Sequence, residues 1–219
     1  TGLSTTIWHG RATTVIGIEP NNDMLQIAQN KLKLLPANHA LSFQQGVASQ
    51  TGLPDKCTDI VTCAQSFHWM EPQSTLTEIA RILRPGGVFA AYDYQWPPTV
   101  NWQIEKAYET FNDRAWSLKA QRGLEQDVHI WSKDRHLDQL QESGHFHYVK
   151  ELWLHQQEMG NADRFVGLAL TIGVIQFVQK GLLSEDEIGL AAFKQAIQHT
   201  MGNTPMPWYF SYHICIGIK

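Results

Sequence analysis

Apolar positions in the first hundred residues alternate between short continuous runs and helix-spaced stripes. Val15 to Glu19 reads VIGIE, a brief apolar run of the kind buried in a parallel sheet, and it ends on an acid. The following PNNDMLQIAQNKLKLL opens on Pro20 and an Asn/Asp cluster. It predicts a helix that turns Met24, Leu25, Ala28, Leu32 and Leu35 inward. LSFQQGVAS is a second short strand, and a turn at Leu53-Pro54-Asp55 precedes a third from Asp59 to Ala64. EPQSTLTEIARILRPGG then predicts a helix with Pro72 in its first turn and Leu76, Ile79, Ile82 and Leu83 facing inward. Pro85-Gly86-Gly87 is its expected stop, before a strand from Val88 to Tyr94.

From Trp102 the periodicity becomes helical, with Ile104, Tyr108, Phe111 and Ala115 on one stripe. Leu118 extends that stripe, and the segment to about Gly144 is polar, with Trp116 and Trp131 embedded in it. A strand-like HFHYVKELWLHQQ precedes two expected helices, Ala162 to Lys180 and Ser184 to Met201, the second opening on a capping-box pattern. WYFSYHICIGIK closes the pattern as a last strand. Successive strand–helix units of this kind imply an α/β fold, paired in parallel by right-handed crossovers.

Composition narrows the chemistry. The net charge is −4 and no run of five Lys or Arg occurs, which points away from nucleic acid and from an anionic membrane surface. Cys57, Cys63 and Cys215 are odd in number and lack CxxC spacing, so neither a disulfide framework nor a metal site is expected, and a reducing cytoplasmic setting fits. The longest apolar stretch, Phe165 to Val178, is shorter than the ~20 residues of a membrane-spanning helix.

In open α/β sheets ligands bind beyond the carboxyl ends of the strands. The residues to watch are therefore Glu19, Gly46 to Ser49, Gln65 to Trp69 and Tyr92 to Trp96. An acid placed like Glu19 can accept hydrogen bonds from both hydroxyls of a ribose. It can equally be an exposed acid favoured by a helix dipole.

TGLST, VIGIEPNNDML, FQQGVASQTGLPD, DIVTCAQSFHWMEP and EIARILRPGGVFAAYDY occur in this order. Together they resemble class I S-adenosylmethionine-dependent methyltransferases, specifically the type 11 group, over Thr1 to about Tyr94. The resemblance implies a Rossmann-like, doubly wound, mostly parallel sheet with helices on both faces and an antiparallel C-terminal strand pair. It implies a cofactor-binding core over residues 1–95, a helical substrate cap over 96–144, and a return to the α/β domain over 145–219. S-adenosylmethionine would be the cofactor, S-adenosylhomocysteine its product, and a small molecule the methyl acceptor. The protein would act as a monomer or homodimer.

Carried over residue by residue, the resemblance places Thr1 and Gly2 at the tail of a GxGTG loop near the methionine part of the cofactor. Glu19 becomes the ribose acid and Met24 the apolar residue on the adenine ring. Val47 stands where the family commonly has an adenine-binding Asp, so the backbone of Ala48, or Ser49, would read the ring edge. Gln65 and Ser66 fall beside the methionine and sulfonium. His68 is the leading candidate for a general base, the other reading being a wall of the site. Asp93 is a substrate-orienting or structural acid. Trp96, Trp102, Trp116 and Trp131 lie in the interval that covers the site in the family, with cap-core packing as the plainer role for most of them.

In the resembled fold a central strand precedes the glycine loop. The sequence is therefore expected to be a fragment that lacks this first strand and, expressed alone, to bind the cofactor poorly or fail to fold. Two other readings remain open: an NAD-linked oxidoreductase using the same glycine loop and ribose acid, and a non-catalytic cofactor-binding module.

Overall fold

The computed structural model describes residues 1–34, 40–124, 129–171 and 175–219. They fall into two compact units, one of residues 1–93, 130–152 and 214–219, the other of residues 94–129 and 153–213. The stretch 130–144, read from the sequence as the end of a cap, is thus grouped with the first unit.

In the first unit a single turn, α1 (Leu3–Thr6), leads to β1 (Val15–Glu19), α2 (Asn22–Leu32) and β2 (Leu41–Gln45). β1 and β2 pair in parallel from Val15↔Leu41 to Glu19↔Gln45, which brings both carboxyl ends level. Asn21 caps α2 by accepting from the Met24 amide at 3.0 Å. Leu25 and Ala28 are buried on the sheet as expected. Met24 is not: it is 42% exposed, because it sits in the first turn of α2, past the strand end that would cover it. Leu35 lies outside the described residues.

β3 (Thr58–Ala64), α3 (Pro72–Ile82) and β4 (Leu83–Tyr94) form the next parallel unit. The helix stop differs from expectation. Leu83 already belongs to the strand, and Arg84 to Gly87 are taken up in an irregularity between the pairs Thr58↔Leu83 and Ile60↔Val88. The backbones of Gly86 and Gly87 exchange hydrogen bonds with Lys219, so the PGG segment is held as sheet edge instead of loop. Leu76, Ile79, Ile82 and Leu83 are all buried as the periodicity predicts.

The loop after β2 is latched to α3. Glu78, 8% exposed, accepts from the backbone N and hydroxyl of Thr51 at 2.8 and 2.6 Å. Arg81 binds Glu78, the Leu53 carbonyl and Asp55. A 3-10 turn (Lys133–Arg135) and α5 (His136–Glu142) add a helix that the polar sequence up to Gly144 did not advertise. Its Leu140 joins a core with Phe67, Leu76, Ile79 and Phe89.

In the second unit α4 (Trp102–Gln121) buries Ile104, Tyr108, Phe111 and Ala115, the stripe seen in the sequence. The expected helix 162–180 is described as α6 (Ala162–Ala169) and α7 (Ile175–Gln179), with 172–174 outside the described residues. The expected helix 184–201 is broken into α8 (Glu185–Ile188) and α9 (Leu190–Met201) by Gly189, whose φ of 73° ends one helix and starts the next. The Ser184–Glu187 capping box is present. Trp96, Tyr108, Phe165 and Trp208 meet ring to ring in this core. Trp116 packs against it from its edge, whereas Trp102 is 73% exposed.

β5 (Tyr148–Gly160) and β6 (Met206–Ile218) are long strands that pass from one unit into the other. The strands order as β1-β2 in one sheet and β3-β4-β6-β5 in another. Gln95 bonds to Ser211 and Gly87 to Lys219, so β6 runs antiparallel to β4. His147 bonds to Ile218 while Trp153 stacks on His213, so β5 is antiparallel to β6. The expected antiparallel C-terminal pair is there.

Candidate active site

Two groups of residues lie at strand carboxyl ends in the first unit. Glu19 ends β1, half-buried, and its Oε1 accepts from the Asn21 amide at 3.1 Å. The carboxylate therefore shapes the turn into α2, and Oε1 is already engaged. Gly46 donates to the Glu19 carbonyl, tying the end of β2 to the end of β1. Val47 and Gln50 close a tight bridge just beyond, with Val47 47% exposed and Ala48 half-buried. Gly2 accepts from the amides of Thr5 and Thr6 at the start of α1, and Phe43 of β2 lies against it so closely that a Cβ there would fall 2.7 Å from the ring. Thr1 is exposed.

The second group follows β3. Gln65 takes a positive φ of 50°, uncommon for a side chain of its size, while its amide bonds to the Tyr92 carbonyl at 3.0 Å. That bend swings the chain into a 3-10 turn, Phe67–Trp69. Phe67 is the anchor, 1% exposed and edge-on to both Phe89 and His136 at 5.5 and 4.9 Å between ring centroids. With Phe67 sunk in the core, His68 is drawn in to 7% exposed, and Trp69 is left 46% exposed. The His68 carbonyl accepts from the Trp131 amide at 2.8 Å, a local role for one of the tryptophans noted in the sequence.

Asp93, 4% exposed near the end of β4, is the centre of this group. His68 Nδ1 lies 3.4 Å from its Oδ1, His136 Nε2 lies 3.3 Å from its Oδ2, and Lys133 Nζ lies 3.1 Å from Oδ1. Lys133 also donates to Gln65 Oε1 at 2.8 Å, which joins Gln65 to the same cluster. Burial alone would raise the Asp93 carboxyl. The imidazoles of His136 and His68 and the Lys133 ammonium outweigh it and hold the group well below the usual carboxylate range. Asp93 is thus an ionised acceptor at neutral pH.

Ligand atoms of His68, Asp93 and His136 lie within 4.8 Å of one another, close enough to surround a metal ion. The Lys133 ammonium argues against that use, because it already sets a positive charge on the carboxylate, and the two rings approach different oxygens. Sequence reading singled out His68 and Asp93 but not Lys133 or His136. The one available signal was the apolar pair Leu137 and Leu140, which marks a buried helix face beside His136.

The structure joins parallel strand–helix units, an acid at the end of β1 and an antiparallel C-terminal strand pair. With helices on both faces of a mixed sheet, this is the Rossmann-like fold of class I methyltransferases. Residues 1–91 match the model of the methyltransferase domain family. An uncharacterized methyltransferase of Mycobacterium tuberculosis is 37% identical over 87 residues, 40% of this chain and 33% of the relative. The fatty-acid O-methyltransferase of Mycolicibacterium smegmatis is 30% identical over 124 residues, 54% of this chain and 43% of the relative. The match thus spans less than half the length of these curated relatives. Among solved structures, the YcgJ protein of Bacillus subtilis aligns with a TM-score of 0.56 at 16% identity, covering 100% of this chain and 87% of that one. Geranyl diphosphate C-methyltransferase of Streptomyces coelicolor, solved with Mg2+, geranyl diphosphate and S-adenosyl-L-homocysteine, aligns at 0.52 and 13%, covering 99% and 67%.

Proposed function

We propose that the protein transfers the methyl group of S-adenosylmethionine to a small-molecule acceptor, in the cytoplasm, with His68 as the general base. The observation that carries the reading is the methyltransferase-family match over residues 1–91, the same stretch that holds both strand-end groups except Asp93, Lys133 and His136. Among the described residues no helix is long and apolar enough to cross a membrane.

The residues present fit such a cofactor. Met24 and Val47 are apolar yet 42% and 47% exposed, each just past the end of a strand, where a flat aromatic ring would cover them. Glu19 supplies the acid; since Oε1 serves the Asn21 amide, ribose hydroxyls would meet Oε2 or share Oε1. Ala48 and Ser49 would offer backbone groups to the ring edge, Thr1 and Gly2 would approach the methionine part, and Gln65, already oriented by Lys133, would stand beside the methionine and sulfonium. The bound cofactor supplies an activated methyl on a sulfonium, which needs no covalent nucleophile from the protein. The protein's share is orientation, exclusion of water and removal of the acceptor's proton. His68 suits the last task because it is shielded from bulk water and lies beside an ionised carboxylate able to stabilise the imidazolium it would form.

Calorimetry on the full-length protein with S-adenosylhomocysteine and, separately, NAD tests the reading. Binding of the first and not the second is expected. Absence of S-adenosylhomocysteine binding would overturn it.

A further inference from the structure

Among the described residues of the first unit, three buried polar atoms lack a hydrogen-bond partner of good geometry: His68 Nδ1, Asp93 Oδ1 and His136 Nε2. All three belong to one cluster, with imidazole–carboxylate separations of 3.4 and 3.3 Å. Buried polar groups in folded proteins are nearly always paired, and an orphaned one is costly. Both separations are within hydrogen-bond reach, so pairing them is a matter of ring orientation and not of distance. We propose that Asp93 is the positioning residue of His68: one carboxylate oxygen accepts Nδ1–H of His68 and the other accepts Nε2–H of His136, leaving His68 Nε2 as the unprotonated nitrogen that faces away from the carboxylate. The inference rests on the reading of His68 as the base.

The surroundings fix this arrangement from each side. His136 is held by the edge contact with Phe67 and by Gln139, whose Oε1 lies 3.3 Å from Nδ1; a turn of that amide puts its NH2 there to donate to a bare Nδ1, as the proposed tautomer requires. Phe67, the residue before His68, is held in the same core, so both rings are referenced to one buried side chain. Lys133 Nζ offsets the charge of the carboxylate and keeps it an acceptor. The other titratable groups near Asp93 are the thiols of Cys63 on β3 and Cys215 on β6, each pushed up to about 12, first by burial, and therefore neutral. Neither competes as a charged partner. An ionised carboxylate cannot donate, so any proton shared with either ring must come from the ring. Of the two imidazoles, His68 presents Nδ1 and His136 presents Nε2, and the two rings should therefore carry opposite tautomers.

A metal ion on the same atoms would require both facing nitrogens to be bare, the reverse of the pattern proposed. Long-range 15N–1H correlation spectra of histidine-labelled, full-length protein at about pH 9, where an ordinary imidazole is neutral, separate the two. The expected spectrum has His68 protonated at Nδ1 and bare at Nε2, and His136 protonated at Nε2 and bare at Nδ1. In Asp93→Asn the amide oxygen keeps the place beside Lys133 and His68, the NH2 turns toward His136, and that ring should shift to the Nδ1–H form. His68 protonated at Nε2 in the unaltered protein would overturn the proposal. So would bare facing nitrogens on both rings, or a His136 tautomer that Asp93→Asn leaves unchanged. The unaltered protein alone decides if the variant does not fold. Calorimetry with S-adenosylhomocysteine on the same samples reports on the cofactor reading separately, so failure of one is not mistaken for failure of the other.

Discussion

Glu78 of α3 accepts from both the amide and the hydroxyl of Thr51, at 2.8 and 2.6 Å, and so fastens the loop that leaves the end of β2 to the helix before β4. Arg81 completes the pairing from the next turn. The Arg81 hydrogen bond, followed by those from Thr51, holds the Glu78 carboxyl at about 2, against an ordinary 4.5, despite its burial. The folded value is depressed, so the contribution is fully present above about pH 4.5 and is lost as pH falls toward 2. Glu78→Gln keeps one acceptor but removes one of the two charged partners of Arg81, leaving Asp55. Urea unfolding at pH 7 should show a loss of about 1.5–3 kcal/mol, the range for hydrogen bonds to a charged group. The gap between variant and parent should narrow as the pH is lowered from 4.5 toward 2. An equal gap at both ends of that range would remove Glu78 as the source.

In the second unit the close approach of Gly160 to Trp208 makes a different demand. Gly160 ends β5 with its α-carbon against the indole of Trp208, and an added methyl would overlap the ring. Trp208 is fully buried, edge-on to Phe165 and covered by the Arg164 guanidinium at 5.1 Å, so it cannot step aside cheaply. Gly160→Ala should cost about 1–3 kcal/mol, as overpacking a dense core does. Thermal unfolding followed by tryptophan fluorescence would register it as a lower Tm. An unchanged midpoint would mean that the strand end slides to make room.

How much of this was legible beforehand depended on whether a residue's neighbours lie close in sequence. The Ile104–Ala115 stripe and the Leu76–Leu83 face follow from a 3.6-residue period, and both are buried as read. The Ser184 capping box is likewise local. The PGG segment misled because glycine and proline after a helix ordinarily mean a loop, whereas here Gly86 and Gly87 pair with Lys219, over a hundred residues away. The Asp93 cluster was half-visible for the same reason. His68 and Asp93 stand at strand ends, where topology alone directs attention, but Lys133 and His136 reach them from a polar stretch whose partners no periodicity reveals. The Thr51–Glu78 latch was invisible for a further reason, since a buried Glu on a helix reads in sequence as a solvent-facing charge.

Glu19 offers the most direct test of the cofactor site. Its carboxylate ends β1 level with Gln45 and is held by the Asn21 amide. Removing it in Glu19→Ala deletes the charged acceptor of a ribose and also one hydrogen bond of its own turn. A hydrogen bond to a charged acceptor is worth about 1.5–3 kcal/mol, so the affinity for S-adenosylhomocysteine should fall at least about tenfold. Glu19→Gln should recover part of the loss by restoring the turn. Affinity unchanged in both variants would take Glu19 out of the site.

His68 separates chemistry from binding. Its ring lies against Asp93, while the residues assigned to the adenine and ribose follow β1 and β2. His68→Ala should therefore lower turnover by about 10²–10⁴, the usual contribution of a general base, with S-adenosylhomocysteine affinity nearly unchanged. The measurement is transfer from labelled cofactor to an acceptor found by screening candidate small molecules. The loss should be largest for acceptors that must give up a proton and smallest for those that present a free lone pair, because only the former need a base. Equal turnover in parent and variant for a proton-bearing acceptor would return His68 to the wall of the site, with Asp93 then serving the fold of the β3 and β4 strand ends and not the reaction.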